Sequence, residues 1–381
     1  MISEKLLFYE SAGVDLHLGN MASKILYEAA KQTWKNRTNK LGEIIVPFDD
    51  YSGLRAIRIG NLPQDTVACL GFDGVGTKIE IAERVGRHDT IAFDLFAMVC
   101  DDAAVRGGIP IVIGSVLDVR SLSQKNNGIE VLRQIANGYI AAAESADVAV
   151  INGELAELGT RIAGFGDFNY TWSAGVLWVA QESKLLTGSK IQNGDTVIAL
   201  REHGFRSNGL SLVRKVFSEK LGSNWHQYNL NGKNLGELVL TPSIIYSKII
   251  SAFRENLSSP DDDIHAIAHI TGGGIPEKIG RMLQPTGLGM NIDNLFPPCD
   301  AMQFCQEAGT ISDAEMYRTC NMGNGMFIVT SSPEILLAHF AQHRLEAKIA
   351  GKIIAEKNIV VTSCGMKNGT ILEFPLQQKR E

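Results

Sequence analysis

The stretch TVACLGFDGVGTK, Thr66 to Lys78, joins an apolar run to a loop that contains two glycines. The run from Thr66 to Phe72 has the length of a buried strand, and apolar residues recur at helical spacing after Lys78. Gly74 and Gly76 let the backbone approach a ligand closely, and successive N–H groups can then bind an anion. This strand, loop and helix predict an α/β fold with an anion-binding loop.

The side chains of the same loop suit phosphate chemistry. Asp73 can hold Mg²⁺, Thr77 adds a hydroxyl, and Lys78 adds a cation. The loop lacks the GxxxxGK[ST] spacing of a P-loop, so it belongs to another class. Taken alone it also fits a tight surface turn.

Outward from this loop, strands and helices alternate. In the first half we predict helices at Ile91–Val105 and Ile129–Ala143, and strands at Ile109–Leu117, Asp147–Asn152 and Tyr170–Ala180. A chain of 381 residues exceeds what one hydrophobic core usually serves, so we expect two domains, residues 1–185 and 186–381. A helical pattern within Met1 to Lys40 leads into the first sheet.

The second half repeats the α/β style. We predict a strand at Thr196–Leu200, helices from Leu210, after Thr241-Pro242 and at Pro276–Met282, and strands at His265–Thr271 and Met326–Val329. Two short strands and a frayed tail are expected after Ala355.

Composition limits the kinds of partner. Hydrophobic residues make up 45% and charged residues 20%, which is typical of a folded globular protein. The net charge of -6 argues against a nucleic-acid footprint. The six cysteines show no metal spacing, and no signal peptide or membrane span is present, so we expect a soluble cytoplasmic protein.

An acidic series predicts a metal site. It consists of Asp73, Asp94, Asp101, Asp102 and Glu154. Carboxylates that gather in apolar surroundings need a compensating cation, and Mg²⁺ prefers oxygen ligands. Each acid taken singly also fits helix capping or surface placement.

Two further segments carry candidate substrate residues. In HAIAHITGGG, His269 and Thr271 precede a triple glycine whose amides suit a phosphate or an oxyanion; His269 can act as acid or base, or be a core histidine. In RSNG, Ser207 and Asn208 fit either ligand binding or capping of the next helix. The motifs GxSxG, HExxH and GxGxxG are absent, which narrows the field to phosphate chemistry.

Several blocks, taken in order, resemble one family. They are SAGVD (Ser11–Asp15), DGVGTK, RHDTIAFDLFAM (Arg87–Met98), SNGLSLVRK (Ser207–Lys215), AHITGGG (Ala268–Gly274) and MYRTCNMGNGM (Met316–Met326). Together they resemble the aminoimidazole ribonucleotide synthetases, which are phosphoribosylformylglycinamidine cyclo-ligases. The resemblance covers nearly the whole chain.

This resemblance implies an α/β (α+β) two-domain fold in a homodimer, with N-terminal sheets joined in a barrel and a C-terminal α/β domain. It implies that ATP phosphorylates the formyl oxygen of a ribonucleotide substrate, that the neighbouring amine closes the imidazole ring, and that phosphate leaves. Related enzymes of the superfamily include thiamine monophosphate kinase and selenophosphate synthetase, and all use ATP.

Roles carried over by position are implied in the same way. Catalytic roles fall on His269, Asp94 and Lys78. Nucleotide binding falls on Lys24, Asp73, Gly74, Gly76, Thr77, Asp94 and Glu154, and Mg²⁺ binding on Asp73, Asp94, Asp102 and Glu154. Substrate binding falls on Arg206, Ser207, Asn208, Thr271, Gly272 and Gly273.

The sequence departs from the family pattern at four places. LGEIIVPFDDYSGLRAI stands where a glycine-rich stretch is usual, Leu155 where Thr is expected, SVLDVRSL (Ser115–Leu122) where DYYATGKL is expected, and Arg206 where His is expected. Arg206 introduces a fixed cation suited to phosphate. These changes keep two alternatives open: an ATP-dependent kinase or ligase of the superfamily with another substrate, and a degenerate nucleotide-binding regulatory protein.

Overall fold

The structure, a computed structural model, describes residues 15–46, 55–123, 125–257 and 264–376. The chain forms two compact units. Unit 1 takes its described residues from Met1–Leu62, Leu70–Val99 and Ile111–Leu177, and unit 2 from Pro63–Cys69, Cys100–Pro110 and Trp178–Glu381. Unit 2 therefore includes two segments that precede the end of unit 1 in the sequence.

Unit 1 contains most or all of four helices and six strands. The helices are α1 (Leu16–Thr33), α2 (Lys78–Val85), α3 (Ile91–Val105) and α4 (Gly128–Ala146), and the strands are β1 (Glu43–Ile45), β2 (Ala56–Arg58), β3 (Thr66–Gly74), β4 (Ile109–Val119), β5 (Ala149–Glu157) and β6 (Tyr170–Gln181). The sheet has the order β3-β6-β4-β5, in which β4 and β5 are parallel. The predicted helix at Ile91–Val105 is confirmed at both ends.

Helix α1 is placed by its cap and its buried face. Asp15 accepts hydrogen bonds from the backbone N–H groups of His17 and Leu18, at 2.9 and 3.1 Å, and so starts the helix. Near its end, the Thr33 hydroxyl accepts a bond of 2.8 Å from the N–H of Val150 on β5. The predicted helix within Met1 to Lys40 thus begins at Leu16, and most of the SAGVD block lies outside the described residues.

Among the described residues, unit 2 contains nine strands, of which seven form one mixed sheet. The nine strands are β7 (Thr196–Arg201), β8 (Asn229–Leu230), β9 (Lys233–Asn234), β10 (Ile264–His269), β11 (Gly289–Ile292), β12 (Asn324–Thr330), β13 (Ala347–Ile354), β14 (Asn358–Thr362) and β15 (Ile371–Pro375). The large sheet has the order β10-β12-β7-β13-β11-β14-β15, while β8 and β9 form a separate ribbon. Its pairs are antiparallel except β11 with β14.

The described part of unit 2 contains the helices α5 (Leu210–Leu221), α6 (Leu235–Val239), α7 (Ser247–Glu255), α8 (Gly274–Leu283), α9 (Asp300–Gly309), α10 (Asp313–Thr319) and α11 (Pro333–Gln342). Strand β12, next to the edge strand β10, is buried along its whole length, and Ile198, Met326 and Ile328 belong to one core cluster with Phe340 of α11. The cluster also contains Ile264 and Ile267 of β10, the strand that carries the predicted site residue His269.

Two predicted boundaries are wrong. The strand expected to end at Asn152 continues to Glu157, because β5 pairs in parallel with β4 up to the pair Val119 and Glu157. The helix expected after Pro242 begins only at Ser247. There the N–H groups of Tyr246 and Ser247 donate to Asp101, a distant residue that local spacing does not reveal.

Part of the segment that replaces the expected glycine-rich stretch also lies outside the described residues. Its described ends form β1 and β2, which pair antiparallel from Glu43 with Arg58 to Ile45 with Ala56. Within the described ranges, no helix has the length and apolar content needed to cross a membrane.

Candidate active site

A fully buried ion pair lies beside the glycine loop of unit 1. Lys78 is the first residue of α2, and its Nζ lies 2.7 Å from Oδ1 of Asp94 in the first turn of α3. Both side chains are shielded from solvent. Helix α3 is mostly apolar and Asp94 is fully buried in it, so its charge is tolerated there because Lys78 compensates it. Two of the predicted catalytic residues are therefore in contact.

The glycine loop is shorter than the sequence suggested. Asp73 and Gly74 are still part of β3, and Oδ1 of Asp73 accepts a 2.7 Å bond from the N–H of Gly74. Gly76 has φ +69°, a conformation that glycine adopts at little cost, and Thr77 is the N-cap residue of α2. Lys24 is exposed on α1.

An open hollow of about 660 Å³ lies on the sheet of unit 1. Its polar wall consists of Asp73, Ser115, Asn152, Glu154 and Ser173, and its apolar wall includes Phe72. Glu154 is a strand residue of β5 that pairs with Val116 of β4, not part of the loop expected from the sequence. The hollow brings two predicted metal and nucleotide residues, Asp73 and Glu154, to one surface.

Unit 2 contains a second buried charge cluster, centred on Arg206. Its guanidinium donates to Oε2 of Glu202 and Oδ2 of Asp101, each at 2.8 Å, and to the carbonyl of Ile244 at 2.9 Å. Arg206, Asp101 and Glu202 are all fully buried. Burial lowers the pKa of Arg206, but the two carboxylates raise it by more, so the guanidinium stays charged. The predicted contact of Arg206 with substrate phosphate is not what this structure shows, because the cation is enclosed by protein.

His269 connects this cluster to an exposed carboxylate. Arg206 donates to Nε2 of His269 at 2.7 Å, and since a guanidinium can only donate, the ring hydrogen must lie on Nδ1. Nδ1 then donates to Oδ1 of Asp102 at 2.7 Å. Partial burial raises the pKa of Asp102, but the hydrogen bond from His269 and the positive charges of Lys278 and Arg206 bring it below its ordinary value. Asp102, with 59% of its side chain exposed, is the ionised end of this chain of bonds.

The predicted substrate loops of unit 2 lie side by side. A side chain at Gly272 would come within 3.5 Å of Oδ1 of Asn208. The hydroxyl of Ser207 is buried and has no hydrogen-bond partner among the described residues. Gly209, at φ +77°, occupies the N-cap of α5, so the N-cap residue is neither Ser207 nor Asn208.

The triple glycine opens α8 as expected. Gly273, with φ +88°, is the N-cap residue, and α8 begins at Gly274. Thr271 is buried, and its carbonyl accepts the N–H of Gly274 at 2.9 Å. The polar groups of the two loops therefore converge at one place in unit 2.

Comparison with known proteins identifies the family of this chain. The profile described as "AIR synthase related protein, N-terminal domain" matches residues 54–177, and the corresponding C-terminal domain matches residues 192–363. The chain belongs to the AIR synthase related family. It is 33% identical over 368 residues to the phosphoribosylformylglycinamidine cyclo-ligase of Thermococcus kodakarensis, covering 95% of this chain and 100% of the relative. The same enzyme of Desulfitobacterium hafniense is 34% identical over 342 residues, covering 89% and 93%.

Solved structures show the AIR synthase-like fold at lower identity. The hydrogenase maturation protein HypE of E. coli is 16% identical with a TM-score of 0.62, covering 95% of this chain and 99% of its own. Thiamine-monophosphate kinase from Stenotrophomonas maltophilia is 14% identical with a TM-score of 0.60, covering 87% and 95%. The resemblance and the α/β fold class expected from the ordered motifs are confirmed.

Two departures from the AIR synthase pattern are neighbours in the sheet. Leu155 on β5 pairs with Leu117 of β4, which lies in the altered segment Ser115–Leu122. Ser115 pairs with Gly153 in the same register, and its hydroxyl is 2.9 Å from that of Tyr139. The two altered motifs thus form one altered patch, beside Glu154 in the wall of the hollow.

The donor set decides what kind of metal ion would fit. Among the described residues, no three His, Cys, Asp or Glu side chains are placed to hold a metal ion together. The carboxylates of Asp94 and Asp102 are bonded to Lys78 and His269, while Asp73 and Glu154 line the hollow. Mg²⁺ commonly binds one or two carboxylates together with substrate phosphates and waters. The hollow fits a metal ion that arrives with a nucleotide.

Sequence reasoning missed two members of the Arg206 cluster. Glu202 lies four residues before Arg206, and this spacing was the one available signal. The second is Tyr246. The Cζ atom of Arg206 lies 5.2 Å from the centroid of the Tyr246 ring, and the Tyr246 hydroxyl donates to the carbonyl of Arg201 at 2.7 Å. Nothing in the local sequence of Tyr246 indicates this contact.

Proposed function

We propose that this chain catalyses the ATP-dependent ring closure of formylglycinamidine ribonucleotide to aminoimidazole ribonucleotide, with ADP and phosphate as the other products. The similarity to the Thermococcus kodakarensis cyclo-ligase carries this proposal, since it spans 95% of this chain and the whole of that enzyme. A match of this extent covers the sheets and loops of both units.

Support for ATP comes from proteins with the same fold. Crystal structures of this fold include HypE in complex with ATP and a ThiL protein complexed with AMPPCP and TMP. In this chain, we assign the nucleotide to unit 1, where Gly76 and Thr77 precede α2 and the hollow offers Asp73 and Glu154. Mg²⁺ would bind these two carboxylates together with the nucleotide phosphates.

In the proposed reaction, ATP and the residues of unit 1 would have separate roles. Bound ATP would supply the phosphoryl group that converts the formyl oxygen into a leaving group. The buried pair of Lys78 and Asp94 fixes the start of α2, and with it the loop that precedes it. Its contribution to catalysis is therefore to hold the loop in position.

In unit 2, His269 would orient Asp102 rather than transfer a proton itself. Its Nε2 lone pair is occupied by Arg206, while Nδ1–H is directed at Asp102. The ionised carboxylate of Asp102 can accept a hydrogen bond from an amine or amidine of the substrate. Ser207, whose buried hydroxyl has no partner among the described residues, is a second candidate for substrate contact.

A homodimer is part of the proposal. The sheet of unit 1 exposes large apolar side chains: Leu70 is 66%, Phe72 77% and Val116 47% exposed. Exposed apolar side chains grouped on one surface are typical of an interaction site. These three side chains also line the hollow assigned to the nucleotide, so a second copy of the chain that covers them would form part of the wall of that site.

One observation favours a second candidate, an ATP-dependent kinase or ligase with a different substrate. The altered patch of Leu155 and Ser115–Leu122 borders the hollow, and a changed wall can change the substrate that is accepted. The fold alone does not separate the two functions.

The deciding experiment measures phosphate release from ATP and Mg²⁺ with formylglycinamidine ribonucleotide, together with an assay for the aminoimidazole product. Glu154→Gln is the test variant, and Asp94→Ala is a second one whose folding must be checked because it leaves Lys78 buried without its carboxylate partner. We expect substrate-dependent turnover that Glu154→Gln lowers. Folded wild-type protein that binds ATP but forms no aminoimidazole would rule out the cyclo-ligase and favour the second candidate.

A further inference from the structure

Two histidines lie one helical turn apart at the end of α11. His339 is in the last turn and His343 is the C-cap residue, and a spacing of four residues places both on one face of the helix. Their ring centroids are 4.6 Å apart. A metal ion bound at about 2.1 Å to one nitrogen of each imidazole lies about 3 Å from each ring centre, so two rings at this separation can share one ion.

The ring hydrogen of His339 is fixed by the neighbouring helix α7. Nε2 of His339 lies 2.9 Å from the carbonyl oxygen of Ile249. Because a carbonyl only accepts, Nε2 carries the hydrogen and Nδ1 keeps its lone pair. Histidines that bind metal ions usually donate their other ring hydrogen to a carbonyl or a carboxylate in the same way. His339 is therefore already in the tautomer that a metal ligand needs.

The surroundings of the pair favour a neutral imidazole and an added positive charge. The ring of His339 packs against those of Phe253 and Phe340, with centroids 5.3 and 6.0 Å away. Partial burial lowers the pKa of His339 and the charge of His343 lowers it further, against the effect of the bond to Ile249. A proton therefore competes only weakly with a metal ion for Nδ1. The pair also lies at the carboxyl end of α11, where the helix dipole stabilises a cation.

An open hollow beside His339 has room for further ligands of an ion. Its volume is about 420 Å³, and Asn256 and Gln342 also line it. Since one water takes up roughly 30 Å³, the hollow holds several waters. Within the described ranges, no third His, Cys, Asp or Glu joins the pair in a group that could hold a metal ion. Water and the amide oxygens of Asn256 and Gln342 would complete the coordination, which favours exchangeable binding over a closed structural site.

We propose that His339 and His343 together bind a divalent transition-metal ion that prefers imidazole ligands, namely Ni²⁺, Cu²⁺ or Zn²⁺. Mg²⁺ prefers oxygen ligands and would not occupy this site. Neither histidine belongs to the hollow of unit 1 or to the Arg206 cluster. The inference therefore goes beyond the proposed function and does not depend on it.

The test is isothermal titration of the full chain, without a histidine tag, with NiCl₂, because Ni²⁺ does not oxidise the free thiols. We expect one Ni²⁺ per chain, weaker binding of Co²⁺, still weaker binding of Mn²⁺, and none of Mg²⁺. Loss of an outer partner of a metal ligand costs about 10–100-fold in affinity, so His339→Gln and His343→Gln should each weaken Ni²⁺ by at least roughly tenfold. His17→Gln, the same change at an exposed residue of α1, is the matched control and should stay within twofold of the wild type.

A second measurement identifies the ligands directly. Ni²⁺ is paramagnetic and broadens the NMR signals of nearby nuclei, so the imidazole signals of His339 and His343 should broaden first among the eight histidines. If His339→Gln does not fold, His343→Gln gives the answer alone, because His343 is exposed. The inference would be overturned by no binding of Ni²⁺, by equal binding of Mg²⁺, by equal weakening in His17→Gln, or by broadening that begins at other histidines.

Discussion

Replacing Arg206 by Met should destabilise unit 2 strongly. The guanidinium is the shared partner of two fully buried carboxylates, Asp101 and Glu202, each 2.8 Å away. Removing one partner of a buried ion pair typically costs about 3–5 kcal/mol. The carbonyl of Ile244 and Nε2 of His269 also lose a donor, at about 1 kcal/mol each. Because these contributions are not additive, we expect a loss of about 5 kcal/mol, comparable with the whole stability of many domains.

The assay is urea unfolding of both proteins at pH 7, followed by circular dichroism. Arg133→Met is the matched control, since Arg133 forms an exposed pair with Glu130 at 3.3 Å, and such pairs contribute under about 1 kcal/mol. Adding Asp101→Asn and Glu202→Gln to Arg206→Met should restore part of the stability, because the buried negative charges are then removed as well.

A loss below about 1.5 kcal/mol for Arg206→Met would refute this reasoning. It would mean that water reaches the carboxylates or that they are protonated at neutral pH. Protonation of the carboxylates can be checked separately. Burial raises the pKa of Asp101 and Arg206 opposes that effect, so removing Arg206 favours the protonated acid. A variant with protonated acids would become less stable as the pH rises from 6 to 9.

Three further predictions concern unit 1. Burial raises the pKa of Glu83 from 4.5 to about 7, so its proton stabilises the native state fully below pH 4.5 and this contribution is lost as the pH rises through 7. In the wild type the free energy of unfolding should therefore fall between pH 5 and 8, and Glu83→Gln should make this fall smaller by up to about 3 kcal/mol. The same pH dependence in both proteins would contradict the raised pKa of Glu83. Mg²⁺ should bind detectably by calorimetry only when ATP is present, and Asp73→Asn should weaken it; tight binding of Mg²⁺ alone would disprove the donor set inferred here. Phe72→Asp should shift the protein toward monomer in sedimentation velocity while the exposed control Ile335→Asp does not, and equal behaviour of the two would argue against the proposed interface.

The helices and strands that were predictable from the sequence are those with a clear local pattern of apolar residues. Helix α3 was placed correctly because its residues are mostly apolar, and most of β12 was found because Met326 to Val329 are all apolar. Strand β5 was cut short at Asn152, since residues 152–154 are exposed and the residues after them are partly buried, without the alternation of a half-buried strand. Its continuation depends on pairing with β4, which no local pattern encodes.

The parts of the candidate site that consist of neighbouring residues in the sequence were predictable. The glycine loop and the triple glycine were found because their residues are adjacent in the sequence. The contact of Arg206 with Asp101 joins residues 105 positions apart, and His269 with Asp102 joins residues 167 positions apart. Their burial depends on the folded unit, so an arginine that looked available for phosphate is in fact enclosed.

The Arg206 cluster also constrains how this sequence can change over generations. A neutral residue at position 206 would leave Asp101 and Glu202 as buried charges without a cation, so the acids must be neutralised first or together with it. Arg206 itself has φ +56°, a conformation that is unfavourable for a side chain of its size, yet the cluster holds it there. We therefore expect these three positions to be exchanged as a set among descendants of this chain, with single replacements removed by selection.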